Sequence, residues 1–451
     1  MTTVQPMEER PTSEMFVSLD QAMAIALQLH RTGHLDDAAE LYRQILEQKP
    51  EYGPALHYSG VLAHQQGRSD EAVAKLERSL AVDPDQADCY SNLSIVLREQ
   101  GKLEDALVAC RQALALDPRH ANAHSNLGSL LRAHGEVAEA EQAFRTAIDL
   151  NPDHVDAYTN LGNLLNAQKR PREAVECFCK AITLNPAHAE SRRLLGLAYC
   201  TLGEIAKAVE VFERWLAEEP DNPVPRHMLA ACSGRDVPPR ASDAYVESVF
   251  DTFAASFDSR LARLAYRAPV LVTEMVARAG VEPSKSLDVL DAGCGTGLCG
   301  PLLAPYARRL TGVDLSGNML AQARERNIYD ELIKGELTAY LRRSPGAFDL
   351  IVSADTLVYF GLLDDVVQVA AEALRPGGSL VFTVEALDDS DAAEYRIKPH
   401  GRYGHARRYV ERVLRAHGFE PAIERAELRM EGGVPVNGLV ARALRVEESH
   451  A

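Results

Sequence analysis

The N-terminal half of the chain repeats one pattern of apolar and small residues with a period of 34 residues. Each period contains two stretches with apolar residues at helical spacing, and a proline follows the second stretch. An apolar stripe that recurs about every 3.6 residues predicts an amphipathic helix, so each period predicts a pair of helices. The prolines keep the same spacing throughout: Pro50, Pro84, Pro118, Pro152, Pro186 and Pro220.

Small side chains mark the points at which the paired helices would cross. The second helices carry an alanine at one fixed position: Ala38, Ala72, Ala106, Ala140, Ala174 and Ala208. Period and small residues together resemble the tetratricopeptide repeats. The resemblance covers residues 19–222 and implies an α-solenoid of six helical pairs. Residues 223–232 read as one further amphipathic helix, which would cap the stack.

Three asparagines, Asn92, Asn126 and Asn160, recur at the same position of successive first helices. A carboxamide can donate to a peptide carbonyl and accept from a peptide N–H, so a row of them suits an extended chain. The row resembles the asparagine ladder in the repeat domain of O-linked N-acetylglucosamine transferase, which implies a protein or peptide partner in the groove. The alternative, in which the amides join adjacent helices, stays open.

The helical period ends in the segment SGRDVPPRAS, residues 233–242. Its glycine and paired prolines are typical of a linker with a short reach. The expected organisation is therefore a disordered tail (1–18), the repeats with their capping helix (19–232), the linker (233–242) and a second domain (243–451).

The second domain alternates short apolar stretches with helical ones, which predicts an α/β fold of the doubly wound, Rossmann-like kind. Its most informative stretch is SLDVLDAGCGTG, residues 286–297. An apolar strand runs here into closely spaced glycines, and a helical pattern follows. Glycines let a ligand approach the main chain, and a helix N-terminus offers unpaired N–H groups. The stretch therefore predicts a nucleotide-like cofactor, against the alternative of a turn without a ligand.

The acids beside this stretch indicate which kind of cofactor. Dinucleotide folds use the spacing G-x-G-x-x-G and place a pyrophosphate at the helix end, which a carboxylate would repel. Here the spacing is G-x-G-x-G and Asp291 precedes it, which suits a cationic ligand. Asp314 closes the next predicted strand, where a carboxylate can accept both ribose hydroxyls. A nicotinamide oxidoreductase is therefore disfavoured.

These features resemble motif I and the following acidic strand end of the class I S-adenosylmethionine-dependent methyltransferases. The RPGG segment at residues 375–378 adds to the likeness, and both halves together resemble bacterial tetratricopeptide-repeat-containing methyltransferases. By resemblance, Glu336 would meet the adenine amino group and the Leu337 main chain an adenine nitrogen. The cofactor-binding residues implied are Asp291, Gly293, Cys294, Gly295, Gly297, Asp314, Leu315, Glu336 and Leu337.

Candidate acceptor residues lie beyond the predicted fourth and fifth strands, where open α/β sheets bind their ligands. Asp355, Tyr359 and Glu385 come from those strand ends. The insertion at residues 397–409 supplies Tyr403 and His405, and the imidazole of His405 is the first choice of general base, ahead of Asp355 and Tyr403. Arg402 and Arg407 belong to a locally basic segment that would bind an acidic substrate, unless it is only a solvated helix face.

Composition narrows the function classes. The chain has 451 residues and a net charge of −17, which indicates at least two domains and argues against general nucleic-acid binding. We expect neither a signal peptide nor a membrane anchor, because the first residues are polar and no apolar run is long enough to span. The eight cysteines are scattered, so no metal site is expected and a cytoplasmic location fits best.

Three functions remain open at this point. The first is a methyltransferase whose repeats recruit a protein or peptide. The second is a small-molecule methyltransferase that uses the repeats for assembly. The third is an inactive, cofactor-binding interaction scaffold. The identity of the methyl acceptor distinguishes the first function from the second. Detectable methyl transfer distinguishes both of them from the third.

Overall fold

Helical pairs form the N-terminal part of the protein, as the 34-residue period predicts. The structure is a computed structural model that describes residues 18–254, 257–388, 390–431 and 434–446, so the expected tail lies outside the described residues except for Ser18. The chain divides into two compact units, residues 1–130 and 131–451. The first contains α1 (Leu19–Arg31), α2 (Leu35–Gln48), α3 (Gly53–Gln65), α4 (Ser69–Val82), α5 (Ala87–Glu99), α6 (Leu103–Leu116) and the start of α7 (Ala121–His134).

The small residues of the repeat permit close helix crossings in this unit. Gly60 of α3 faces α4, where a Cβ atom on the glycine would come within 3.0 Å of Leu76 and 3.2 Å of the Ala72 carbonyl oxygen. Ala38 and Ala72, the small residues of α2 and α4, are completely buried. Larger side chains at these points would push the helices apart, so the packing explains the period.

The second unit continues with helices of the same kind: α8 (Val137–Leu150), α9 (Val155–Ala167), α10 (Pro171–Leu184), α11 (Ala189–Thr201), α12 (Ile205–Glu218) and α13 (Pro223–Ser233). Trp215 of α12 is buried and packs with Phe212, Met228 and Cys232. The last two belong to α13, so this helix covers apolar surface of α12.

The predicted linker, residues 233–242, which we call the Pro-Pro segment, is hydrogen-bonded to the α/β domain. The Pro239 carbonyl accepts hydrogen bonds from the N–H groups of Gly361 at 2.8 Å and Leu362 at 2.9 Å. Ala241 N donates to the Tyr359 carbonyl at 2.8 Å. Because prolines lack a donor, the carbonyls of this segment carry most of its attachment. The segment is thereby fixed along the edge of the α/β domain.

The α/β domain begins with α14 (Asp243–Phe253), α15 (Phe257–Arg263) and α16 (Ala268–Arg278). Its strands are β1 (Leu287–Ala292), β2 (Ala307–Asp314), β3 (Glu331–Lys334), β4 (Phe348–Ser353), β5 (Leu374–Ala386), β6 (Tyr395–Ile397), β7 (Tyr403–His405), β8 (Phe419–Glu431) and β9 (Val434–Arg445). The helices between them are α17 (Gly300–Leu303), α18 (Gly317–Glu325), α19 (Leu337–Arg342), α20 (Asp364–Ala373) and α21 (Arg407–Ala416), with a 3₁₀ turn at Leu357–Tyr359.

These strands form one sheet with the order β3-β2-β1-β4-β5-β7-β6, to which β9 adds antiparallel to β5, and β8 antiparallel to β9. Strands β1 to β5 are parallel, so their carboxyl ends meet at one edge. The fold class is therefore an α-solenoid of tetratricopeptide repeats followed by a Rossmann-like α/β domain, as expected. Strand β7 lies in the stretch 397–409 that the sequence predicts as an insertion, and β6 comes just before it.

Apolar residues of the central strands β1 and β4 are buried on both faces of the sheet. Leu290 and Ile351 belong to one core cluster, and Val289 and Val352 to the other. Within the described ranges, the structure contains no helix with the length and apolar character needed to cross a bilayer.

Candidate active site

The glycine loop after β1 sits at the carboxyl edge of the sheet. Gly293, Gly295 and Gly297 have φ angles of +77°, +54° and +85°, which residues with a Cβ rarely adopt. A Cβ atom on Gly293 would also lie 2.1 Å from the Thr356 hydroxyl oxygen. The loop is therefore tightly packed against the segment that follows β4.

Asp314, at the end of β2, holds the loop in place. Its Oδ2 accepts from Gly295 N and its Oδ1 from Ser316 N, each at 2.9 Å. Burial raises the pKa of this carboxyl, and the hydrogen bonds from the main chain oppose that rise. Asp314 is also one of the residues that line the cavity described below, so it both holds the loop and borders the cavity.

Asp291 lies beneath the glycine loop, and only 1% of its surface is exposed. Tyr329 donates its hydroxyl hydrogen to Asp291 Oδ2 at 2.6 Å, whereas Oδ1 is buried with no partner among the described residues. Burial raises the pKa of the Asp291 carboxyl to about 7. Asp291 is predicted to lie against the ligand, but it is not among the described residues that line the cavity.

A cavity of about 230 Å³ opens beside the loop. One wall consists of the predicted cofactor residues, and the apolar wall comes from the helices before β1. Phe250 and Phe257 lie there with ring centroids 5.8 Å apart. The predicted cofactor residues on the wall are Gly293, Cys294, Gly295, Asp314, Leu315, Glu336 and Leu337. Gly297, the remaining glycine of the loop, is not among them.

Glu336 caps a helix, a role that the sequence does not predict. It is the N-cap of α19, and its carboxylate accepts from Thr338 N at 2.9 Å and Ala339 N at 2.7 Å. A carboxylate at a helix N-terminus satisfies N–H groups that the helix leaves unpaired. The expected contact with an adenine amino group would therefore compete with capping.

A cluster of buried ion pairs forms the opposite end of the cavity. We call Asp355, Glu385, Arg402, Arg429 and Glu431 the ion-pair cluster. Arg429 is 4% exposed and donates to Asp355, to Glu385 and, at 2.7 Å, to Glu431. Arg402 donates to Glu385 at 2.7 Å and to Glu431 at 2.6 Å. All members except Glu385 line the cavity.

The two arginines control the ionisation of the buried acids. Burial alone would raise the pKa of Glu385, but the charge of Arg402 and its neighbours holds it well below the usual range. Burial raises the pKa of Asp355, and the charge of Arg429 opposes that rise. Removal of one member would leave a buried charge unpaired, which is usually costly.

Asp355 combines several unusual features. Its φ of +60° is left-handed, a conformation that costs a residue with a side chain of the order of 1 to 3 kcal/mol. Its N–H donates to Thr383 Oγ1 at 2.8 Å, which stabilises this conformation. Its Oδ1 is buried without a partner among the described residues. Of the three predicted catalytic residues, Asp355 is the one that reaches the cavity.

The prediction that His405 is the general base is wrong. The residue is completely buried on β7, and its Nε2 donates to the Gly361 carbonyl at 3.2 Å. Burial lowers the pKa of His405 to about 4. Its ring stacks on Tyr409, and the residue is absent from the described cavity wall. His405 is therefore a core residue.

The structure corrects two further predictions in the same segment. Tyr403 is buried and donates its hydroxyl hydrogen to the Pro238 carbonyl at 2.8 Å, so it attaches the Pro-Pro segment and does not reach the cavity. Arg407 is exposed at the start of α21 and also lies away from the cavity wall. The predicted basic surface therefore separates into Arg402, which is neutralised inside the cluster, and the exposed Arg407.

Three residues that the sequence does not predict for the site also line the cavity: Tyr266, Arg429 and Glu431. Arg429 and Glu431 are two residues apart on β8, so their side chains point to the same face. Charged residues at alternate positions near the end of a strand are the sequence signal that could have identified Arg429 and Glu431.

The asparagines on the first helices are half-buried. Asn92 Nδ2 donates to His57 Nε2 at 2.8 Å, and Asn126 Nδ2 donates to Ser91 Oγ at 3.0 Å. The amide nitrogens of both residues therefore join neighbouring helices, as the alternative interpretation of the asparagine row expects. Asn160 lies on α9, in the second unit.

Comparisons with known proteins agree with these features. A family model described as a methyltransferase domain matches residues 289–378, which include the glycine loop, Asp314 and Asp355. Tetratricopeptide repeat models match residues 54–119, 91–155, 130–181 and 159–223. Methyltransferase-like protein 27 of Homo sapiens is 31% identical over 176 residues, which are 37% of this chain and 68% of that protein. The chain belongs to the class I methyltransferases.

Two further similar proteins match 28% and 37% of the chain. Malonyl-(acyl-carrier protein) O-methyltransferase of Enterobacter lignolyticus is 33% identical over 124 residues, 28% of this chain and 49% of the relative. The chain thus spans about half the length of that relative. The crystal structure of MamA is 25% identical with a TM-score of 0.31, and the match covers 37% of this chain and 97% of that one.

Proposed function

We propose that the protein is an S-adenosylmethionine-dependent methyltransferase whose repeats recruit a protein or peptide substrate. The observation that carries the proposal is Asp314, which lines the cavity and whose carboxylate accepts from the Gly295 N–H beside the glycine loop. Each of its oxygens has a further lone pair for a ribose hydroxyl. The family supports the same cofactor.

The residues present fit S-adenosylmethionine. A Cβ atom on Gly335, which lines the cavity, would have no neighbour within 4 Å, so the wall leaves space there. The buried, unpartnered Oδ1 of Asp291 adds negative potential below the loop, which suits a cationic ligand. The residues that would hold the cofactor are Gly293, Cys294, Gly295, Asp314, Leu315 and Leu337, with Asp291 acting through its charge.

When bound, S-adenosylmethionine supplies an electrophilic methyl group on a sulfonium. The chain's own contribution is to orient the acceptor and exclude water, since alignment of the reactants lowers the barrier of a displacement. Phe250 and Phe257 form an apolar wall suited to water exclusion. The ion-pair cluster lies at the end of the cavity where we expect the methyl acceptor, and we call this the acceptor end. Asp355 is an acid at this end, and Arg429 fixes its position.

The link between the repeats and the site supports recruitment. His227 on α13 donates to the Gly401 carbonyl at 2.7 Å and stacks on Tyr245 with a centroid distance of 3.9 Å. Gly401 is next to Arg402 of the ion-pair cluster, and Arg240 of the Pro-Pro segment lines the cavity itself. A substrate held by the repeats would be tethered to the chain that carries the site, which raises its effective concentration. A cytoplasmic location is part of the proposal, supported by cysteines that are all free in the described chain.

The test is transfer of a tritiated methyl group from S-adenosylmethionine into a bacterial extract separated by size. The proposal expects label in macromolecules that depends on intact Asp314. Label confined to small solutes would indicate a small-molecule acceptor instead, and cofactor binding without any transfer would indicate an interaction scaffold.

A further inference from the structure

Hydrogen-bond donors dominate the acceptor end of the cavity. Tyr266 and Tyr359 lie on its wall, and no described residue hydrogen-bonds to either hydroxyl group. Burial raises the pKa of both phenols, so they stay protonated and donate. Arg402 uses Nε and Nη2 in the ion-pair cluster, and no described residue bonds to its Nη1.

The acids at the same end are paired with arginines, except for one oxygen. Asp355 Oδ2 is bonded to Arg429 and Glu431 accepts from both arginines, whereas Asp355 Oδ1 has no partner among the described residues. An amine acceptor would find that single oxygen and would otherwise have to compete with these arginines for the carboxylates. An anionic acceptor would instead meet donors that have unused hydrogens.

These donors are separate from the predicted cofactor wall. Asp314 and Glu336 follow β2 and β3, on one side of β1 in the sheet order. Asp355 and Tyr359 follow β4, on the other side of β1, and Arg429 reaches the same end from β8. The donor set therefore lies where the acceptor of the proposed reaction is expected.

No imidazole lines the described cavity to accept a proton, so the proton acceptor at this end would have to be Asp355 through its unpartnered Oδ1. His405 is in the core, and His400, which is also off the wall, has its pKa lowered to about 4 by burial and by the charge of Arg402. Ammonium and hydroxyl acceptors lose a proton when they are methylated, which favours a base beside them. A carboxylate is already ionised at neutral pH and needs none.

We infer that the methyl acceptor is a carboxylate, bound by Tyr266, Tyr359 and Arg402 and converted to a methyl ester. The inference rests on the proposed function and deepens it. A lone pair of one carboxylate oxygen forms the new C–O bond while the S–CH₃ bond breaks, and the electrons of that bond stay on sulfur. The negative charge of the acceptor and the positive charge of the sulfonium both disappear, and no proton is released.

The first experiment measures binding with a matched pair of probes, propionate and propionamide, which have similar size and differ in charge. Saturation-transfer NMR on the full chain, with S-adenosylhomocysteine at saturation, should show propionate binding at least about tenfold tighter than propionamide, as a charged hydrogen bond requires. Tyr359→Phe should weaken propionate binding about tenfold. Its hydroxyl has no described partner, so the variant should remain folded.

Arg407→Gln is the matched control, because Arg407 lies in the same basic segment but is exposed away from the cavity. This variant should bind propionate like the wild type. Equal binding of propionate and propionamide, or an unchanged affinity in Tyr359→Phe, overturns the inference. Displacement of propionate by S-adenosylhomocysteine also overturns it, since the donors would then serve the cofactor's own carboxylate.

The second experiment identifies the product bond. Methyl esters release methanol in mild alkali, whereas N-methyl groups and methyl ethers do not. Extract labelled with tritiated S-adenosylmethionine should therefore release most of its label as volatile methanol. Alkali-stable label defeats the ester but leaves the proposed function in place. Absence of label from every fraction defeats the proposed function, and the ester with it.

Discussion

Tyr329 donates its hydroxyl hydrogen to Asp291 Oδ2 at 2.6 Å, below the glycine loop. Among the described residues, Tyr329 is the hydrogen-bond donor to this carboxyl group, and Asp291 is 1% exposed. Burial raises the pKa of Asp291 from 3.8 to about 7, although the bond from Tyr329 opposes the rise. The site therefore contains an acid whose charge is costly in the absence of a cation.

Asp291 should make the stability of the domain depend on pH. Because its folded pKa of about 7 is above the unfolded value of 3.8, the folded state binds the proton more tightly. The resulting stabilisation is complete below pH 3.8 and is lost as pH rises through about 7. In urea titrations, the free energy of unfolding of Asp291→Asn should rise relative to that of the wild type by roughly 3 kcal/mol between pH 5 and pH 8.

Glu325→Gln, an exposed change on α18, is the control and should track the wild type at every pH. Tyr329→Phe removes the hydrogen bond that lowers the pKa, so its decline in stability should extend to higher pH. A constant difference between Asp291→Asn and the wild type across this range would contradict the raised pKa.

Asp314 should determine cofactor affinity. Asp314→Ala removes the carboxylate proposed to accept the ribose hydroxyls and also frees Gly295 N and Ser316 N. Charged hydrogen bonds are worth about 1.5 to 3 kcal/mol, so calorimetry should show S-adenosylmethionine binding weakened about tenfold or more. Glu331→Ala, which removes an exposed carboxylate from β3, should bind normally. Wild-type affinity in a folded Asp314→Ala protein would disprove the role of Asp314.

The repeats and the glycine loop could be predicted from sequence because local patterns encode them. Gly60 and Ala72 occupy the crossing point of one helical pair, and their spacing recurs in each period. The glycine loop and Asp314 belong to successive strand ends in a parallel sheet, so their proximity follows from chain order. Nothing in these predictions required a distant contact.

The ion-pair cluster could not be predicted in the same way. Glu385, Arg402 and Arg429 meet through the pairing of β5 with β7 and β9, and of β9 with β8, which sequence alone does not reveal. The local charge count around Arg402 suggested a free basic surface, because its partners Glu385 and Glu431 are remote in sequence. His405 was misassigned for a related reason: the register of β7 directs it into the core.

The structure sets the boundary of a stable fragment that contains the α/β domain. A fragment starting at Ala241 loses the Pro239 carbonyl that binds Gly361 and Leu362, and the Pro238 carbonyl that binds Tyr403. Each lost bond costs on the order of 1 kcal/mol, so this fragment should melt several degrees below one starting at Asn222. Equal melting temperatures in calorimetry would show that the Pro-Pro segment contributes nothing.

The asparagines should affect recruitment and not chemistry. Asn92 and Asn126 donate through Nδ2 to neighbouring helices, which leaves their Oδ1 atoms to accept from a bound peptide. Replacing Asn92, Asn126 and Asn160 together with alanine should raise the apparent KM for the macromolecular fraction of the extract at little cost to kcat. Gln112→Ala, which removes an exposed amide from α6, is the control and should behave like the wild type. The melting temperature of the triple variant separates lost binding from lost interhelical bonds. A folded triple variant with wild-type KM would leave the repeats as an assembly or regulatory module, because a groove that binds substrate must lower KM where substrate is limiting.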